Sequence, residues 1–248
     1  MIHYLLNISM QKERIIQMIK SEKDKSLKIF RSLLTDDIFK AENSQDYIEL
    51  MHDNIYDFYE ILYYFRENDK SDLYKSELIR NIFESIYLIN NSRLVSSMHM
   101  LRSCLELFAK LQNSRINDSV KSKFSENIDV SVKHLKRGNK NNKSIIIETK
   151  EYSKEIYSQL CEFVHTGEKI TIKPFEVMEE VFYRDLEMKD FEEFAHIFFR
   201  VINSMIALEI LMYANHYFEY MPSLILSDLK NKYLSDKQKE YFFNVTNI

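Results

Sequence analysis

The sequence predicts an all-α fold, a single helical bundle of about seven to nine helices, because apolar residues recur every three or four positions along most of it. Two further observations agree. Only two glycines and two prolines occur in 248 residues, against ordinary usages of roughly 7% and 5%. Sheet-rich folds need glycine in hairpin turns, and nucleotide-binding α/β folds need it in phosphate loops. No GxGxxG, P-loop or GxSxG motif occurs. That excludes dinucleotide enzymes of the usual design, P-loop NTPases and α/β-hydrolases. Hydrophobic residues make up 45% and charged residues 29%, a balance that supports a packed core rather than disorder.

Met1 to Leu34 reads as one or two helices, with Ile15, Ile16, Ile19, Leu27, Phe30 and Leu34 as apolar positions. Ser44 is a candidate N-cap for a helix over Gln45 to Asn68, where Ile48, Met51, Ile55, Phe58 and Leu62 share a face. Ser71 opens the next, with Leu73, Leu78, Ile82, Ile86 and Ile89, and Asn90-Asn91-Ser92 breaks it. The helix after that break, which includes the stretch Met98 to Leu111, has Leu94, Met98, Leu101, Leu105 and Phe108 as its buried face. From Ser114 to Lys143 the pattern weakens, and residues 134–143 (HLKRGNKNNK) read as a flexible basic loop.

Periodicity returns over Ile145 to His165. Gly167 supplies the stop, since glycine takes the left-handed conformation just past a last turn. Residues 168–190 read as irregular, with Pro174 disfavouring helix just before it. A long apolar central helix follows near residues 191–221, ended by Pro222, and Leu224 to Phe243 forms a closing helix. No linker or repeat is visible, so residues 1–248 read as one domain.

Two of these helices carry residues that point to chemistry. Arg102 and Glu106 lie one turn apart at the border of an apolar face. Arginine before glutamate is the weaker order for an i,i+4 pair, so each is expected to engage another partner. The segment YSQLCEFVHTG, residues 157–167, ends in His165 at the glycine stop. Arg102, Glu106 and His165 together would suit acid–base chemistry on a phosphate ester. The imidazole would move a proton, the guanidinium would stabilise anionic charge, and the carboxylate would fix the tautomer. The architectural alternative is a border salt bridge and a histidine capping helix-end carbonyls.

The stretches LRSCLELF and YSQLCEFVH resemble bacterial helical proteins of the HEPN-like, abortive-infection type, which show an R-x-x-x-E helix and a later tyrosine–leucine–histidine helix end. The resemblance covers about Leu94 to Gly167. It implies an all-α bundle, frequent homodimers, and a role in phage defence or toxin systems beside an antitoxin or other defence partner. It also implies, in many members, a metal-independent endoribonuclease acting on RNA. The nuclease signature of such proteins, an arginine followed within two turns by a histidine, is matched at Arg93 and His99. There Leu94 follows the arginine instead of a polar residue, and the two positions fall on opposite sides of the helical wheel.

Two Glu-x-x-His motifs, Glu162 to His165 and Glu193 to His196, form a second constellation. With a glutamate from each of two other helices they would make a di-metal carboxylate site. That topology needs a glutamate-bearing helix between the motifs, and Pro174 interrupts the interval. No cofactor is expected. Cys161 stands one turn before His165, yet nothing supplies an oxyanion hole, so Cys104 and Cys161 read as reduced core thiols. Lys136, Arg137, Lys140 and Lys143 form the candidate nucleic-acid contact, although a net charge of −4 argues against a generic nucleic-acid coat. No signal segment is evident. The run Val201 to Ala214 is interrupted by Asn203 and Glu209, so a cytoplasmic address without membrane insertion is expected. The alternative to an enzyme is a helical module that binds a protein or nucleotide partner.

Overall fold

In this computed structural model the described residues are 21–32, 34, 44–65, 69–116, 120–135, 143–166 and 188–246, and all of their regular structure is helical. There are ten helices among them. α1 covers residues 21–32; α2 is Ser44–Tyr63, α3 Asp69–Asn90, α4 Leu94–Ile116 and α5 Phe124–Leu135. α6 is Lys143–Thr166, α7 Met188–Met212, α8 Ala214–Tyr220, α9 Ser223–Tyr233 and α10 Asp236–Thr246. Ten exceeds the seven to nine that periodicity suggests, and the excess comes from two breaks that periodicity does not register and from one helix, α5, that it conceals.

The first is at Tyr213. Its backbone leaves the helical region, with φ −120° and ψ 33°, and divides the expected helix over 191–221 into α7 and α8. In an unbroken helix Glu209 and Tyr217 would be separated by a rise of about 12 Å. Across the break the Tyr217 hydroxyl donates to Glu209 Oε1 at 2.6 Å. A second break divides the closing helix at Leu234-Ser235. Ser235 Oγ accepts from the Gln238 amide at 3.4 Å, and Gln238 Oε1 accepts from the Ser235 amide at 2.8 Å. This reciprocal capping box opens α10.

α5 is the helix that the weak pattern between Ser114 and Lys143 conceals. Phe124, Ile128 and Val132 bury one stripe of it, and Asn127 fixes its approach. The Asn127 Oδ1 accepts from the Lys121 amide and from Asn113 Nδ2, both at 2.8 Å, while its Nδ2 donates to the Lys121 and Lys123 carbonyls.

α7 is central. It packs against α2, α4 and α6 and touches α8, α9 and α10, while α4 packs against α3, α5, α6 and α7. One contiguous apolar core results, with Phe58, Phe108, Phe194 and Phe198 among its fully buried side chains. Truncating one of these to alanine would cost about 3–5 kcal/mol. The apolar stripes expected of α2, α3 and α4 are buried, except that Leu73 is 58% exposed and Leu94 is half-buried. α7 is long and apolar enough to cross a membrane by length and composition, but 72% of its most apolar stretch is buried inside the fold. The shorter run Val201 to Ala214 understates its reach.

Candidate functional site

α4 and α6 pack together, bringing the two stretches that carry the family resemblance side by side. α4 buries Met98, Leu101, Leu105 and Phe108, leaving Arg102 and Glu106 half-buried at the margin of that face. Arg102 Nε lies 3.6 Å from Glu106 Oε1 and makes no hydrogen bond. The closer partner of Glu106 comes from α6: the Tyr157 hydroxyl donates to Glu106 Oε1 at 2.8 Å. The Tyr157 ring stacks on Phe124 of α5, centroids 4.5 Å apart. α4 and α6 therefore meet at one carboxylate, and α5 supports the tyrosine that reaches it.

The electrostatics fix who carries the proton. Burial pushes the Tyr157 hydroxyl above its ordinary value, and the Glu106 carboxylate and Cys161 beside it push the same way. A tyrosine held protonated next to a carboxylate is a donor, not a base. Tyr157 thus orients Glu106, and Glu106 in turn faces the guanidinium. An i,i+4 pair of this exposure is worth about 0.3–0.5 kcal/mol, so it adds little to stability.

His165 belongs to α6, two turns beyond Tyr157, a rise of about 12 Å along the helix; its side chain lies outside the described residues, as does Gly167. The basic cluster fares likewise: Lys136, Arg137 and Lys140 lie outside the described residues, and Lys143 opens α6 with its side chain undescribed. The alternative pair is not brought together. Arg93 is exposed just before α4, where its carbonyl accepts from Ser97 Oγ at 2.8 Å. His99 is half-buried one turn before Arg102–Ser103, and its Nδ1 is buried without a hydrogen bond.

Of the possible metal ligands, Glu162 is exposed on α6, and Glu193 and His196 are exposed on α7. His196 meets the edge of Tyr47 with centroids 6.1 Å apart. No group of three candidate ligands capable of holding a metal ion occurs among the described residues. Cys104 is buried, which pushes its thiol above the ordinary value. Cys161 is half-buried against Tyr157, not in the core as the sequence suggests.

Two polar networks escape sequence reasoning. In the first, Glu209, fully buried, accepts from Arg115 Nη1 at 2.6 Å, from Gln112 Nε2 and from Tyr217. The Arg115 guanidinium lies 3.9 Å over the Phe65 ring. The glutamate interrupting an apolar run was the available signal, because a buried carboxylate demands a cation. In the second, Asp57 accepts from Lys232 Nζ at 2.6 Å and from the Tyr233 hydroxyl at 2.7 Å, with Lys23 Nζ at 3.4 Å.

No family model matches the chain, and no curated protein or solved structure is significantly similar to it. The HEPN-like resemblance therefore rests on its motifs alone.

Proposed function

We propose that the protein acts on RNA as a metal-independent endoribonuclease of the HEPN-like kind, in a defence or toxin setting. The observation that supports this reading is the convergence of Arg102, Glu106 and Tyr157 where α4 meets α6. In such a reaction a ribose 2′-hydroxyl attacks the adjacent phosphate, a base takes its proton, and the 5′-oxygen leaves with a proton returned to it. Arg102 stabilises the negative charge that develops on the non-bridging phosphate oxygens. Glu106, held by Tyr157, positions that guanidinium. His165 is the proton-transfer group.

The test is RNA cleavage by the purified full chain in the presence of a chelator. Arg102→Ala and His165→Ala should each lower the rate by about a hundredfold or more, with helicity and melting temperature retained. Failure of the wild-type chain to cut any single-stranded or structured RNA would sink the proposal. So would cleavage that survives both substitutions.

A second reading, a non-catalytic module that binds a protein partner, is favoured by a different observation. Tyr59 and Tyr63 on α2, and Phe83 and Tyr87 on α3, are large and exposed. Under that reading His165→Ala lowers the melting temperature and no RNA is cut.

A further inference from the structure

α1, α2 and α3 enclose a cavity of about 510 Å³ whose lining shares no residue with the Arg102–Glu106–Tyr157 cluster. Its volume falls within the range of about 300–1,000 Å³ typical of small-molecule sites. Each helix supplies a wall: Phe30 comes from α1, His52 and Tyr59 from α2, and Ile79 and Phe83 from α3. Phe30 is buried at its base, whereas Tyr59 and Phe83 are 51% and 43% exposed and so stand at the mouth.

Apart from the phenol groups, the polar groups in this lining among the described residues are His52 and Ser26, and they pair with each other, His52 Nε2 to Ser26 Oγ at 3.0 Å. His52 is 4% exposed, and its Nδ1 has no hydrogen-bond partner, with Asp53 Oδ1 at 3.8 Å. A serine hydroxyl has one donor and two acceptor positions, and the histidine contact uses only one of them. Two hydrogen-bonding positions thus remain on the Ser26 hydroxyl, in an otherwise largely apolar wall.

Charge decides the ligand class. Lys23, the cation beside Tyr56, is already committed to Asp53 at 3.1 Å and to Asp57 at 3.4 Å. Among the described residues no lysine or arginine lines the cavity, so an anion would find no uncompensated cation there. No carboxylate lines it among the described residues either, so a cation would lose its hydration against Phe30, Ile79 and Phe83 without an anionic partner.

We propose that this cavity is a binding site for a neutral, largely apolar small molecule with one polar group that meets Ser26. The site is separate from the ribonuclease reading and survives its failure.

Phenylnaphthylamine, a neutral fluorophore that brightens in apolar surroundings, tests it in titrations of the full chain. Saturable binding of one dye per chain is expected. Phe83→Ala, at a position 43% exposed and checked for an unchanged melting temperature, should weaken it by about tenfold. Ile79→Trp should fill the cavity and abolish binding. Anilinonaphthalenesulfonate, the anionic relative, should bind more weakly than the neutral dye. Non-saturable binding, equal affinity in the Phe83→Ala and wild-type chains, or a preference for the sulfonated dye would overturn the proposal. So would sedimentation showing a dimer that excludes the dye until Tyr59→Glu dissociates it, because the groove would then be a seam between two copies.

Discussion

Ser92 occupies a position that ordinarily belongs to glycine. Its φ is +57°, and it closes α3 with a two-bond stop: its amide donates to the Ile89 carbonyl at 2.9 Å, and the Arg93 amide donates to the Leu88 carbonyl at 2.9 Å. A left-handed residue with a Cβ costs about 1–2 kcal/mol, partly offset by the entropy a glycine loses on folding. Ser92→Gly should therefore raise stability by about 0.5 kcal/mol, read as a higher urea midpoint with unchanged slope; a lower midpoint would contradict the capping geometry. Glu60 carries the other residue-scale prediction. Its carboxyl, ordinarily near 4.5, is raised to about 7, first by burial and then by Asp57, with Lys23 opposing. Because the folded value lies above the unfolded one, its contribution to stability is complete below about pH 4.5 and is lost as pH rises through about 7. The wild-type melting temperature should fall between about pH 5 and pH 8, and Glu60→Gln should flatten that fall. Identical profiles for the two chains would refute it.

Among the elements, α2, α3, α4 and α6 were legible because their apolar residues keep a helical period across several turns. α5 was not, since its polar residues Asn127 and Ser131 are as buried as its apolar ones, and the period fades when both kinds face inward. The α9–α10 junction was legible in principle, as the spacing from Ser235 to Gln238 is that of a capping box. Nothing local marks Tyr213 as a break. The candidate site divides in the same way: Arg102 and Glu106 sit one turn apart and can be paired from sequence, whereas the Tyr157 contact spans 51 positions and depends on how α4 meets α6. The α4–α7 contact carries its own prediction. Arg115→Met would leave Glu209 charged and buried without its cation, at a cost of about 3–5 kcal/mol. Adding Glu209→Gln should recover much of that loss. If denaturation curves instead show Arg115→Met within experimental error of wild type, the pair is not a structural requirement.

At the scale of the whole molecule, α2 finds its main neighbour far away in sequence. It packs against α7 much more than against the adjoining α3, with Asn54 Nδ2 donating to Asn203 Oδ1 at 2.9 Å and the Tyr233 hydroxyl donating to Asn54 Oδ1 at 3.0 Å. α2 ends at Tyr63 and α7 begins at Met188. On a ribosome adding about 5–20 residues per second, the apolar face of Ile48, Met51, Ile55 and Phe58 waits on the order of ten seconds for its cover. Until α7 emerges that apolar face stays uncovered by its main neighbour, and synonymous codons that slow translation between α3 and α7 lengthen its exposure. The same polypeptide, released whole from denaturant, has every partner present at once. Yield in a cell and refolding yield in a tube therefore report on different hazards of one long-range helix pairing.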